Sequence, residues 1–167
     1  MIIASWIFGI LGIVCNFLIY QQPTRRRLLS VKLSADTVWT LHYLSLFAFS
    51  GAGVCAIGIL RETVFLNEKR KWAQGKRWLL LFLLLSILSA ILTWKNNFSI
   101  LPTLASALSV FSFWKGDPHL TRLLSFPISA CFLTYNISCG SYLGILNEII
   151  VLSATVIALV RLEIKKG

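Results

Sequence analysis

Seven apolar runs, each close to the length of one membrane crossing, make up most of this sequence and leave little choice of solvent. They read as spans at 2–20, 28–49, 52–67, 78–94, 99–115, 122–139 and 141–161. A helix of about 20 residues bridges the roughly 30 Å hydrocarbon core of a bilayer, where backbone polar groups must be satisfied within the chain. Hydrophobic residues fill 57% of the 167 positions and charged residues only 13%, against about a quarter in soluble domains. The mean hydropathy is +0.78. Seven spans use up most of the length, so no soluble domain is expected beside them. The first run follows Met1 with no basic region and no small-residue cleavage site, so it reads as a retained helix, not a signal peptide.

The net charge of +10 is a topology signal, not a nucleic-acid footprint. If every run spans, one side collects Arg25, Arg26, Arg27, Lys32, Lys69, Arg70, Lys71, Lys76, Arg77, Lys115, Arg122, Arg161, Lys165 and Lys166. Only Lys95 falls on the other side, and Arg61 lies within a span. The positive-inside rule makes the populated side cytoplasmic. The expectation is amino terminus out, carboxyl terminus in. Cys15, Cys55, Cys131 and Cys139 lie in apolar runs without C-x-x-C spacing, which argues against a metal site or disulfide framework. No G-x-S-x-G, H-E-x-x-H or P-loop is present, so neither an enzyme nor a cofactor is expected.

Two short outer connections, Ser50-Gly51 and Gly140-Ser141, are expected to turn neighbouring helices antiparallel. An internal match follows. Pro23-Thr24-Arg25-Arg26-Arg27-Leu28-Leu29-Ser30 recurs 95 residues later as Pro118-His119-Leu120-Thr121-Arg122-Leu123-Leu124-Ser125, both fitting P-x-x-x-R-L-L-S. Each copy lies between the first and second helices of a triplet whose third helix carries a carboxylate, Glu62 or Glu148. Three spans invert the chain, so one further span must intervene if the triplets run parallel. The expected division is a first three-helix bundle at 1–67, an inversion-linker helix with its loops at 68–98, and a second bundle with a basic end at 99–167. This 3-1-3 layout of two parallel bundles is the one known in SWEET transporters.

Ionisable groups inside a span cost roughly 2.5–3.5 kcal/mol each on insertion scales and usually face the bundle interior. Glu148, beside Asn147, lies about a third of the way down the seventh span; Arg61 and Glu62 lie near the middle of the third. Adjacent on a helix, Arg61 and Glu62 point apart and are each expected to need another partner, with an Arg61–Glu148 pair between triplets as one option. Lys32 and Asp36, four apart, share a helix face and read as an ion pair near the interface. Trp39, His42, Tyr135 and Asn136 fall at depths similar to Glu148 and could form an aromatic and polar wall for a small polar solute. Ordinary packing explains the same aromatic residues. His42 lies about 120° around its helix from Asp36 and Tyr43, so these three are not expected in one site. Asn16, Ser106, Ser109 and Thr155 either line the same axis or join helices by hydrogen bonds.

The chain resembles the YgjV family of bacterial inner-membrane proteins and, more distantly, the SWEET, PQ-loop and PnuC-like superfamily. The resemblance runs from Arg26-Arg27 through Leu33-Ser34 to His42-Tyr43, then Gly51 to Arg61, Leu101-Pro102 with Ser106, Tyr135-Asn136, Gly140 and Glu148. It departs from the superfamily in the reversed order Gln22-Pro23, and only Pro127 and Pro102 are candidates for the mid-helix prolines of SWEETs. The resemblance implies an inner-membrane location and translocation of small sugar-like or vitamin/nucleoside-like solutes. The expected partners are therefore the lipid bilayer, a small polar solute and a second copy of the chain, with no nucleic acid. The alternative reading is a receptor, regulator or assembly protein on the same fold.

Overall fold

The computed structural model describes residues 2–22, 24–115 and 118–164. Pro23 of the repeated octapeptide and the terminal cations Lys165 and Lys166 lie outside the described residues. Seven α-helices and no strand occur among the described residues: α1 Ile2–Gln21, α2 Arg25–Ser45, α3 Phe49–Leu66, α4 Arg77–Leu92, α5 Ile100–Lys115, α6 Pro118–Cys139 and α7 Tyr142–Ile164. Single 3₁₀ turns precede α4, at Lys71–Ala73, and α5, at Asn97–Ser99.

Helix ends follow local chemistry more than hydropathy. The α2 helix starts three residues before its apolar run because the Thr24 hydroxyl caps the Arg27 amide, drawing the arginines into the first turn. α6 likewise starts early, on Pro118, because proline is tolerated at the first helical position, where no amide hydrogen is needed. The turn between α2 and α3 is made by Leu46–Ala48, with Phe47 at φ 53°; the expected turn residues Ser50 and Gly51 lie inside α3. The second expected turn is present as such, with Gly140 at φ +69° linking α6 to α7. Asn96 and Ser99 form a capping box that starts the turn leading into α5.

Close packing links α1 to α2, α2 to α3, α3 to α5, α5 to α6, α6 to α7, and α7 back to α1. Six helices thus close a ring, and α4 lies outside it in the groove between α3 and α5. The α4 seam is joined by the Ser86–Ser106 hydroxyl pair at 2.8 Å and by Ser50 Oγ donating to the Thr93 carbonyl at 2.9 Å. Trp78 stacks on Phe82, whose edge meets Phe65 of α3.

Polarity is inverted relative to a protein folded in water. Leu80, Leu84 and Ile91 of α4 are more than 60% exposed, whereas Glu62 and Asn136 are fully buried. The outer faces of α1 and α7 are also apolar, through Ile3, Ile7, Ile10, Ile149 and Ile157. An apolar girdle this extensive is stable only against lipid or a partner. α3 and the Asn97–Lys115 segment pass a spanning test of both length and composition, and α1, α4 and α7 carry shorter apolar stretches. α2 and α6 do not stand out because polar residues interrupt their apolar runs on the exposed face (Ser30, Ser34, Thr37, Thr134) as well as toward the interior.

Candidate functional site

A cavity of about 420 Å³ runs down the centre of the helix ring. Its mouth lies at the basic end, between Arg25 at the start of α2 and Arg122 on α6. Two polar stripes at helical spacing form its walls: Arg25, Lys32, Asp36, Trp39 and Tyr43 on α2, and Arg122, Ser125, Ser129 and Phe132 on α6. α7 contributes Asn147 and Glu148, α1 contributes Asn16, and α5 contributes Ser109 and Phe113.

Beyond Tyr43 the cavity is closed by a hydrogen-bonded layer. The Tyr43 hydroxyl donates to Asn136 Oδ1 at 2.8 Å, and the Tyr135 hydroxyl accepts the Gly51 amide at 3.0 Å. That amide is in the first turn of α3, where no helical acceptor exists. A side chain at Gly51 would run into the Tyr43 and Tyr135 rings, so glycine permits this approach. Next to them, His42 bonds the Ser5 carbonyl through Nδ1 and the Ser141 hydroxyl through Nε2, both at 2.8 Å. The layer joins α1, α2, α3, α6 and the start of α7. With both ring nitrogens engaged, His42 acts as a satisfied packing residue.

Within the wall, Lys32 pairs with Asp36, as its i,i+4 spacing suggested. Asp36 also faces Arg61, with Oδ2 3.8 Å from Nη2. Arg61 then bonds its own neighbour: Nη2 and Nε donate to Glu62 Oε1 at 2.8 and 3.1 Å. The expectation that adjacent Arg61 and Glu62 need separate partners is corrected, because the long arginine side chain curls sideways onto the carboxylate of the next residue. Arg61 also lies over the Phe113 ring, 5.1 Å from its centroid. The option of an Arg61–Glu148 pair is not realised; Arg61 is already held by Asp36 and Glu62. These four groups form a neutral network of two cations and two carboxylates. Glu62, moreover, is fourteenth of eighteen residues in α3, near the basic end and not at mid-span.

Glu148 forms no ion pair with that network, although Lys32 is within electrostatic reach of it. Its Oε1 accepts from Asn147 Nδ2 at 3.0 Å, Ser129 bonds the same carboxylate, and Asn16 Nδ2 donates to Asn147 Oδ1 at 2.8 Å. Every described hydrogen-bond partner of Glu148 is neutral. Of the residues singled out from sequence, Glu148, Asn147 and Trp39 line the cavity. Arg61 and Glu62 lie behind Asp36 in the wall, and His42, Tyr135 and Asn136 belong to the closing layer. Asn16 and Ser109 line the cavity, whereas Ser106 is held by Ser86 and Thr155 by Ser125.

A family model, Imp-YgjV, described as bacterial inner membrane protein, matches residues 3–166. The chain belongs to the Imp-YgjV family. Membership places it in the bacterial inner membrane, in keeping with the apolar girdle. No curated protein and no solved structure matches it.

Proposed function

We propose that this protein binds a small polar solute in the central cavity and carries it across the inner membrane. One observation carries the reading: a 420 Å³ chamber, open at the basic end and sealed at the other, with Glu148 and the Lys32–Asp36 pair in its walls. Small-molecule sites typically fall between about 300 and 1,000 Å³ and combine apolar walls with a few polar groups. Burying a carboxylate whose hydrogen-bond partners are all neutral works against stability, and solute recognition gives Glu148 a reason to be there. Binding and passage, without catalysis, is the activity we assign.

In this reading all seven helices span, in a SWEET-like 3-1-3 order with the amino terminus outside. The six-helix ring, with α4 excluded from it, supports that order. The orientation puts the cavity mouth in the cytoplasm. A periplasm-dependent reporter fused after Asn97 is then expected to be active and one after Gly167 inactive; the reverse pattern would overturn the orientation. With the native cysteines replaced, Ser125→Cys is expected to react with a membrane-impermeant thiol reagent in inside-out vesicles and not in whole cells. Equal labelling from both sides would indicate no seal at Tyr43.

The second reading, a receptor or regulator that does not transport, is favoured by the number of bonds in the closing layer. Uptake screening in proteoliposomes separates the two: solute binding without any flux would support the second.

A further inference from the structure

Charge pairing around the cavity is nearly complete, and what is left over has a pattern. Asp36 is paired with Lys32 and Arg61, Glu62 with Arg61, and Arg25 with Glu68 at 3.0 Å at the mouth. Two lining charges have no oppositely charged partner among the described residues: Glu148, 8% exposed on α7, and Arg122, partly exposed at the mouth. One is negative and deep; the other is positive and near the entrance. Beside them, Trp39 lines the chamber, with its indole N–H edge turned to Gly12 of α1, and Phe132 adds a second aromatic wall.

We infer that the solute is a zwitterion, held with its ammonium end on the Glu148 carboxylate and its anionic end toward the Arg122 guanidinium. This deepens the proposed function and rests on it. A buried carboxylate without a direct ion pair is costly; Lys32 is within electrostatic reach but is bonded to Asp36, so a ligand ammonium supplies the contact that is missing. Trp39 and Phe132 suit the same end, since aromatic faces attract cations. Separation of the two charges sets the length. Ser129, which bonds Glu148, is seven residues from Arg122 on α6, a rise of about 10.5 Å. Side chains reaching inward shorten that gap. A solute with its ammonium and carboxylate separated by a short chain fits. A plain cation would meet Arg122 on entry with nothing to offer it, and a plain anion would leave Glu148 unpaired.

The test uses an isosteric series on the full chain in lipid nanodiscs, read by calorimetry: 5-aminopentanoate, pentylamine, pentanoate and 1,5-pentanediol, with 4-aminobutanoate and 6-aminohexanoate as length variants. At least one ω-amino acid is expected to bind more tightly than the three singly charged or neutral analogues. Glu148→Gln should weaken the amino acid and pentylamine about thirtyfold or more, as truncation of a buried charge pair does, and leave pentanoate unchanged. Arg122→Gln, at a partly exposed site, should weaken the amino acid and pentanoate about fivefold and spare pentylamine. Because Arg122 is at the mouth, that variant keeps the test open if Glu148→Gln does not fold. Pentanediol or neutral sugars binding as well as the amino acids, or charge variants without effect, would overturn the zwitterion and leave a neutral-solute cavity standing. Failure of every solute in both sets would overturn the proposed function with it.

Discussion

Arg61→Met is expected to destabilise the protein by about 3–5 kcal/mol, the loss typical when one member of a buried ion pair is removed. Arg61 is 3% exposed and is the sole described partner of Glu62, which is fully buried and whose Oε2 already lacks a donor. Methionine fills much of the stem's volume, so the loss should come from charge, not from a void. Asp36 suffers less because Lys32 remains on it. Rescue identifies the partner: Arg61→Met with Glu62→Gln should recover most of the stability, while Arg61→Met with Glu148→Gln should recover none. Thermal unfolding in detergent reads all three. Rescue by the Glu148 change and not by the Glu62 change would mean that the arginine crosses the cavity instead of turning onto Glu62.

The helices are legible in sequence because lipid demands long apolar runs, and each expected span falls mainly on one helix. Their ends are less so. Hydropathy registers what faces lipid, whereas a helix ends where its caps and turns are. Thr24 and the Phe47 turn therefore place α2 at Arg25–Ser45 when the apolar run reads 28–49. The cavity was half legible. A buried carboxylate announces itself by cost, which is why Glu148 stands out; Ser129 and Arg122 do not, since serine is cheap in a helix and arginine near a span end reads as topology. A signal was nonetheless present: the polar stripe Arg122, Ser125, Ser129 recurs at helical spacing in an otherwise apolar run. The Arg61–Glu62 bond is not legible, because Cα directions diverge at adjacent helical positions while the long arginine side chain still reaches its neighbour.

The repeated octapeptide carries a related lesson. In the textual register, Ser30 is exposed and bonds the Arg26 carbonyl, while Ser125 lines the cavity and bonds Thr155. Leu28 lines the cavity, while Leu123 is 47% exposed. Shifting the comparison by two residues pairs Arg25 with Arg122, Leu28 with Ser125, and Lys32 with Ser129, all of which line the cavity. Two residues are about 200° of helix, so the register that matches the letters puts equivalent residues on different faces. Any correspondence between α2 and α6 therefore lies in which positions face inward, more than in the shared string itself.

Glu148→Gln is expected to leave stability within about 1 kcal/mol of the wild type while removing solute uptake. The stability half follows from its neighbours. Asn147 and Ser129 are neutral and can bond a glutamine carbonyl as they bond the carboxylate, each bond contributing on the order of 1 kcal/mol net. No described cation is stranded, which is the difference from Arg61. The functional half follows from position: Glu148 is on the cavity wall and is the one lining carboxylate outside the Lys32–Asp36–Arg61–Glu62 network. Unfolding temperature and uptake, measured on the same reconstituted preparation, should therefore come apart in this variant. In Arg61→Met they should fall together, since the network holds α2 against α3 and the wall cannot keep its shape without it. A Glu148→Gln protein that melts early, or one that transports normally, would remove Glu148 from the site and leave the cavity without the group that gives it a chemical preference.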